Sequence, residues 1–355
     1  MNRKVVHVIG TGTIGEPLTG LLCHMKKELG FDEVTFHKRT PLLEDRSKVR
    51  ALLGEGARLA TDPEAVAGFE AIGLRPTLEA KEALGRASVV IDCTPVGNQN
   101  KKDLYLPLGD KVRGFLAQGS EFGFGKMYAR GINDGALVPG TDRFIQIVSC
   151  NTHNIAVIVH ALAMDNGAHP DNLLEGRFVC MRRANDISQD GSFVPSPQAG
   201  KHDDPEFGTH HARDAWHLFK TLGLDLDLYS SAIKLNTQYM HAIWFQLRLR
   251  RPVSVDKLMK AVAANPRVAV TYKKSANMVF SFGRDHGHYG RILNETVLPV
   301  RSLAVHRGTQ VTGFCYTPQD GNSLLSSAAA ATWLVDPEGY EARLKCLAPF
   351  MFKEV

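Results

Sequence analysis

A cysteine, a pair of histidines and a pair of arginines carry the chemistry that this sequence offers. Cys150 follows a strand-like run, residues 143–149, and precedes an almost wholly apolar run, residues 155–164, that reads as a buried helix. The pattern therefore puts the sulfur at a strand-to-helix junction. There the unpaired N–H groups and the positive end of the helix dipole favour a thiolate, and the same N–H groups can hold an oxyanion that forms on a bound carbonyl carbon. That is acyl chemistry. A lone cysteine is more often a small buried apolar residue, so the decision rests on its company.

Its company lies in the second half of the chain. Thr209 has the form of an N-cap before an amphipathic helix with Ala212, Ala215, Trp216, Phe219 and Leu222 on one face, and His210 and His211 fall in the first turn. A helix N-terminus favours the neutral imidazole that a general base requires, although spacing does not say which of the two acts. Arg182 and Arg183 follow an apolar strand, residues 178–181, and adjacent guanidiniums suit bidentate binding of a phosphate group on a substrate or a cofactor.

The elements that must position these groups are legible upstream. A short apolar strand, residues 5–9, runs directly into GTGTIG, and Leu18, Leu21, Leu22, Met25 and Leu29 then recur at helical spacing up to Gly30. In this arrangement Gly10 makes a tight turn, Gly12 lets a pyrophosphate approach the backbone, and Gly15 allows close helix packing. The next strand, residues 33–37, ends in HKRTP, without the acidic residue that commonly meets the ribose hydroxyls of NAD. Lys38 and Arg39 can instead meet a 2′-phosphate, which points to NADP, with NAD also open. Residues 42–86 read as helices and loops flanking the sheet. The run SVVIDC, residues 88–93, is a further parallel-type strand whose end brings Thr94 and Gly97 to the ligand edge. Gly119 ends another strand on that same edge.

Composition sets the limits. A chain of 355 residues with 44% hydrophobic and 22% charged residues has the length for two cores, and a net charge of +5 suits anionic small molecules. No Lys/Arg stripe suggests nucleic acid, and no apolar run is long enough to suggest a membrane span. Six scattered cysteines without a CxxC pair argue against a disulfide framework or a metal site, and the N-terminus enters a strand at once, so a cytoplasmic protein without a secretory leader is expected.

Taken together, VSCNT at 148–152, the preceding GTGTIG and VIDCTP, RRAND at 182–186 and HHARD at 210–214 resemble the type II phosphorylating glyceraldehyde-3-phosphate dehydrogenases best known from archaea. The resemblance implies a homotetramer that oxidises a phosphorylated aldehyde with inorganic phosphate, reversibly, through Cys150 with His210 or His211 as base. It also implies substrate contacts from Ser149, Asn151 and the histidine pair, and cofactor contacts from Thr13, Ile14, Gly119, Arg183 and Gln319. Arg182 joins the substrate set. Two departures stand out: this chain has Thr152, His153 and Asn154 where the family continues TTG, and THHARD in place of SHHGPD after an insertion at 188–208.

The expected architecture is α/β. A Rossmann-type dinucleotide-binding domain occupies 1–149, and an α+β catalytic domain with one mostly antiparallel or mixed sheet occupies 150–317. A C-terminal helical segment, 318–355, packs back on the first domain. Two rival functions remain open: an aspartate-semialdehyde or N-acetylglutamyl-phosphate reductase, which uses the same thioester logic, and a non-catalytic NADP-binding redox sensor in which Cys150 has a low pKa.

Overall fold

The computed structural model describes residues 3–119, 121–187, 189–200, 202–318 and 320–355. The chain folds into two units. One contains the N-terminal stretch up to Lys126 with Leu137–Ile147 and Ser326–Leu347; the other contains Met127–Ala136, Val148–Leu325 and Ala348–Val355.

In the first unit the strands are β1 (Val5–Ile9), β2 (Glu33–His37), β3 (Arg58–Thr61), β4 (Leu78–Glu79), β5 (Val89–Asp92), β6 (Gly114–Ala117) and β8 (Phe144–Ile147). The short β7 (Lys126–Tyr128) lies where the chain leaves this unit. The seven strands β1 to β6 and β8 align in the order β4-β3-β2-β1-β5-β6-β8, each parallel to its neighbours in that row. Such a sheet is covered on both faces, which is why β1 and β5 are buried along their whole length. The helices are α1 (Gly15–His24), α2 (Arg46–Gly54), α3 (Val66–Ala71), α4 (Ala80–Arg86) and α5 (Gly97–Asn100). Leu18, Leu21 and Leu22 of α1 are buried, as their spacing requires.

Residues 42–86 hold two strands as well as helices. β3 and β4 are four and two residues long, too short for a period to show against the helical segments beside them. Strand order reverses between β1 and β5. Their carboxyl ends meet there, with Cys93 N donating to Ile9 O at 2.8 Å and Gly10 N to His37 O at 3.2 Å. Open parallel sheets bind ligands at such a reversal.

The second unit is built on one mixed sheet. Its strands are β9 (Leu173–Arg182), β10 (Gln198–Ala199), β11 (Leu228–Lys234), β12 (His241–Leu249), β13 (Val268–Thr271), β14 (Thr296–Pro299), β15 (Ala304–His306) and β16 (Gln310–Thr317), in the order β10-β11-β9-β12-β16-β14-β13 with β15 on β16. β9 pairs parallel with β11 and antiparallel with β12, and β12 pairs antiparallel with β16. Burial alternates along β12, so Ile243, Phe245 and Leu247 face a core shared with Phe178, Val311 and Cys315. The helices are α6 (Cys150–Ile158), α7 (His210–Lys220), α8 (Val255–Ala264) and α9 (Ala276–His286). α6 is buried from Asn151 to Ile158, all round, and its hydrophobic run continues through a π-helical turn at Val159–Ala163. A central helix of this kind is read from its lack of a polar face.

Two further helices follow, α10 (Gly321–Val335) and α11 (Tyr340–Arg343). The part of α10 from residue 326 belongs to the first unit. There Arg113 Nη1 donates to Val335 O at 2.7 Å, and a Cβ on Gly114 would lie 2.5 Å from a Leu334 methyl.

Candidate active site

In the first unit, the loop after β1 has the shape of a phosphate cradle. Gly10 has φ +91°, where a side chain would be strained, and a Cβ on Gly15 would lie 2.0 Å from Gly10 O. A Cβ on Gly12, by contrast, would meet nothing within 4 Å. The backbone at Gly12 thus faces open space, as an approaching pyrophosphate needs, with Thr13 and Ile14 partly exposed beside it at the start of α1. Thr94 borders the loop: its Cγ2 would be 3.2 Å from a Gly10 Cβ, and both its N and Oγ1 donate to Asp92 Oδ1. Gly119 lies in a turn just after β6. The residues present therefore fit a dinucleotide.

At the end of β2, Lys38 Nζ pairs with Asp45 at 2.5 Å, and Lys48 Nζ pairs with the same carboxyl and reaches Thr11 O at 3.3 Å. Burial opposes the charge on Asp45, but the two lysine hydrogen bonds hold its carboxyl below the usual range. Arg39 is exposed on the next residue.

In the second unit, Cys150 opens α6. Ser149 caps the helix, its Oγ accepting from Thr152 N at 3.3 Å and lying 2.8 Å from Thr152 Oγ1. The environment of the sulfur differs from the expectation of a ready thiolate. Cys150 as a residue keeps a partly open surface, but crowding by buried neighbours dominates at the thiol. Together with Asp320 and Asp186, and against Arg183 and Arg182, it pushes the thiol up to about 12. The thiol therefore holds its proton until a base takes it.

Arg183 is buried among these charges. Its Nη2 lies 3.2 Å from both Asp186 Oδ1 and Asp320 Oδ2, and its backbone N donates to His241 Nδ1 at 3.0 Å. Nothing local in the sequence marks Asp320 for this role except its place in a turn before α10, where it adopts φ +64°.

The histidine pair begins α7, which packs against α6. Thr209 precedes the helix as expected but does not cap it with its side chain; the hydroxyl lies 2.6 Å from Ser230 Oγ, and Ser230 Oγ accepts from Ala212 N. The two rings lie 3.9 Å apart. His211 is 4% exposed, and its Nδ1 has no hydrogen-bond partner among the described residues. Burial first, then His210, Arg182 and His241, lower its pKa well below the ordinary value, so the ring is neutral at pH 7. His210 is also lowered, by crowding and then by Arg182 and Arg213, but its exposed edge leaves it more open to solvent screening. Thr152 Oγ1 lies 3.5 Å from His211 O, so the first turns of α6 and α7 are joined.

A cleft of about 320 Å³ is lined by Arg182, His210, His211, Arg213, Thr209 and Gly208, with Asp203, Asp204, Gly200 and Ala232 on the other walls. It brings Arg182 and both histidines together; Cys150 is not on its lining, though Arg182 acts electrostatically on Cys150 and on both rings. Arg213 was not singled out from the sequence. Gln319 lies outside the described residues. His153 is buried, its Nδ1 3.0 Å from Ser149 O, and serves the fold of α6.

Behind the cysteine, Asn322 Nδ2 donates to Cys150 O at 3.0 Å and to Glu295 O at 3.2 Å. Glu295 is fully buried; neither carboxyl oxygen has a hydrogen-bond partner among the described residues, and Arg267 Nε lies 3.7 Å away. Burial outweighs Arg267 and Arg130, and with Asp134 pushes the carboxyl up to about 8. The folded chain then binds a proton that the unfolded chain loses above the ordinary carboxylate pKa. Stability from this group is therefore present at acid pH and is lost as pH rises towards about 8. Glu295→Gln is expected to flatten the fall in stability between pH 5 and 9 and to raise stability at pH 9 by an amount of order 1 to 3 kcal/mol. An unchanged pH dependence in thermal melts would contradict this.

Comparison with known proteins adds relatives of modest similarity. No family model matches the chain. Among curated proteins it is similar to glyceraldehyde-3-phosphate dehydrogenase of Methanobacterium bryantii, 29% identical over 280 residues, 75% of this chain and 73% of the relative. It is also similar to those of Methanobacterium formicicum, at 28% identity over 76% of this chain and 75% of the relative, and Sulfolobus acidocaldarius, at 25% over 84% and 82%. These relatives match three-quarters or more of its length, so over most of its extent the chain is similar to glyceraldehyde-3-phosphate dehydrogenases of archaea.

Proposed function

We propose that this protein oxidises glyceraldehyde 3-phosphate to 1,3-bisphosphoglycerate, reversibly, with NADP as the favoured cofactor, NAD also accepted, and inorganic phosphate as co-substrate. One observation carries the reading: Cys150 at the start of α6 and a buried, neutral His211 in the first turn of α7 are joined through Thr152, and Arg182 acts on both. His211, with His210 beside it, takes the thiol proton as the sulfur attacks the aldehyde carbon. Backbone N–H groups at the head of α6 and the side chains of Ser149 and Asn151 hold the substrate oxygen, and Arg182 with the histidines binds its phosphate. The base returns the thiol proton to the oxyanion, giving the thiohemiacetal hydroxyl, and takes it back as the carbon loses hydride and the thioester forms. Phosphate attacks that thioester and releases the acyl phosphate. When bound, the nicotinamide cofactor supplies the hydride acceptor.

We assign dinucleotide binding to residues 1–149, with contacts from Gly10, Gly12, Thr13, Ile14, Gly15, Lys38, Arg39, Thr94 and Gly119, and from Arg183 and Gln319 further along. Catalysis and assembly fall to 150–317, with 318–355 as the closing segment. A homotetramer in the cytoplasm is part of the proposal. Support for assembly comes from the outer face of the mixed sheet, where Trp244 lies opposite Val179 and Phe314, and Phe314 is 41% exposed.

The test is phosphate-dependent reduction of NADP by glyceraldehyde 3-phosphate with purified protein. Turnover of aspartate semialdehyde instead would favour the semialdehyde reductases. Cofactor binding without any turnover would favour the redox sensor, a reading that the raised Cys150 thiol already disfavours. Because Lys38 is shared with Asp45, the exposed Arg39 carries the larger part of the contact with a 2′-phosphate. Arg39→Ala is expected to raise the Kd for NADP by about ten- to a hundredfold, the worth of a charge-assisted hydrogen bond, with NAD affected less than about threefold. Equal effects on both cofactors, measured by calorimetry, would remove Arg39 from this role.

A further inference from the structure

Two side chains behind the nucleophile, Asn154 and Thr317, take no part in the scheme above, and they lead to Asn151, which does. Asn151 and Asn154 lie on α6, Thr317 ends β16, and all three are buried. Asn154 Nδ2 donates to Thr317 Oγ1 at 2.8 Å, and Thr317 Oγ1 donates to Asn151 Oδ1 at 3.0 Å. The direction of this relay is fixed by chemistry. An amide NH2 can only donate, so the threonine oxygen is the acceptor at that end, and its single proton is left for Asn151. With Oδ1 tied to Thr317, the amide nitrogen of Asn151 must point the other way. The relay is also costly: Asn154 Oδ1 has no hydrogen-bond partner among the described residues. An unsatisfied buried acceptor costs about 1 to 3 kcal/mol, which apolar residues at these positions would avoid.

We infer that Asn154 and Thr317 are positioning residues that hold the Asn151 amide with its nitrogen turned to donate to the carbonyl oxygen of a substrate attacked by Cys150. The inference rests on the acyl-transfer reading. In the step it serves, the S–C bond forms, the thiol proton passes to the histidine base, and the carbonyl π pair moves onto oxygen. A donor already aimed at that oxygen needs no reorganisation as the charge develops. The far end of the relay is anchored, because Thr317 pairs across the sheet with His241, whose Nδ1 accepts from Arg183 N.

The experiment compares Thr317→Val, which keeps the shape but breaks both hydrogen bonds, with Thr317→Ser, which restores them. With glyceraldehyde 3-phosphate, NADP and phosphate, Thr317→Val is expected to lower kcat by about 30- to 300-fold, near the effect of losing one oxyanion donor. KM for the aldehyde and the rate of Cys150 alkylation by iodoacetamide stay within a few-fold, and Thr317→Ser recovers most of kcat. Full activity in Thr317→Val, or equal impairment of the valine and serine variants, would overturn the inference. Should the wild-type protein turn over no aldehyde, the acyl-transfer reading fails by itself. The relay is then decided by crystal structures of both variants: a rotated Asn151 amide in Thr317→Val alone supports it, and an unmoved amide refutes it.

Discussion

Cys150→Ser is expected to lower kcat by a factor on the order of 10³ to 10⁶, the range seen when a covalent nucleophile is removed, while Kd for NADP and the melting temperature change little. A hydroxyl in place of the thiol is a far weaker nucleophile, and the site compounds the loss. Crowding, Asp320 and Asp186 already make deprotonation of the thiol difficult, and a hydroxyl in the same place would be harder still to ionise. The fold should tolerate the change. Ser149 and Thr152, not the sulfur, cap α6, and Asn322 grips the backbone carbonyl of residue 150, which serine retains. Steady-state rates and calorimetry with NADP read both halves of this expectation, and retained turnover would remove Cys150 from the mechanism. A companion measurement follows the thiol itself. Alkylation of Cys150 in the free protein should keep rising with pH through 7 to 10, because the thiol is pushed up to about 12. A plateau near pH 6 would mean a thiolate of the redox-sensor kind.

His211→Asn is expected to cost about 10² to 10⁴ in kcat, the usual share of a general base. A protonated thiol makes the base necessary, and His211 is the neutral, buried ring whose Nδ1 has no partner among the described residues. Burial and its positive neighbours lower its pKa, so the ring stays neutral until pH falls well below the ordinary histidine range. Activity should therefore hold from neutral pH down past pH 6 and fall only in stronger acid. His210→Asn should cost less, because that ring is exposed on the cleft wall. If His210→Asn proves the more damaging variant in the same pH–rate profile, the roles are reversed.

How far the sequence disclosed this arrangement depends on how local each signal is. The turn after β1, its glycines and α1 were legible because strand, loop and helix are contiguous and each glycine answers a local need. β16 was not. Val311, Gly313, Cys315 and Thr317 are buried, while Phe314 is exposed and Tyr316 packs against a smaller cluster, so no simple alternation of apolar and polar residues marks the strand. The same holds at the site. Cys150 at the start of a buried helix and the histidines in the first turn of another could be read from neighbours a few residues away. The raised thiol could not, because it comes from burial and from Asp320, whose place beside Arg183 and Cys150 exists only after folding. Glu295 and Thr317 were silent for the same reason: each matters through partners from other elements.

The central claim is that Cys150 becomes acylated by the aldehyde substrate. Protein mixed with glyceraldehyde 3-phosphate and NADP in phosphate-free buffer should stall at the thioester, since the group that releases it is missing. Mass spectrometry of the acid-quenched protein should find a 3-phosphoglyceroyl adduct on the peptide that carries Cys150, formed with one equivalent of NADPH and discharged when phosphate is added. A burst of NADPH with no adduct on that peptide, or an adduct on another cysteine, would contradict the account.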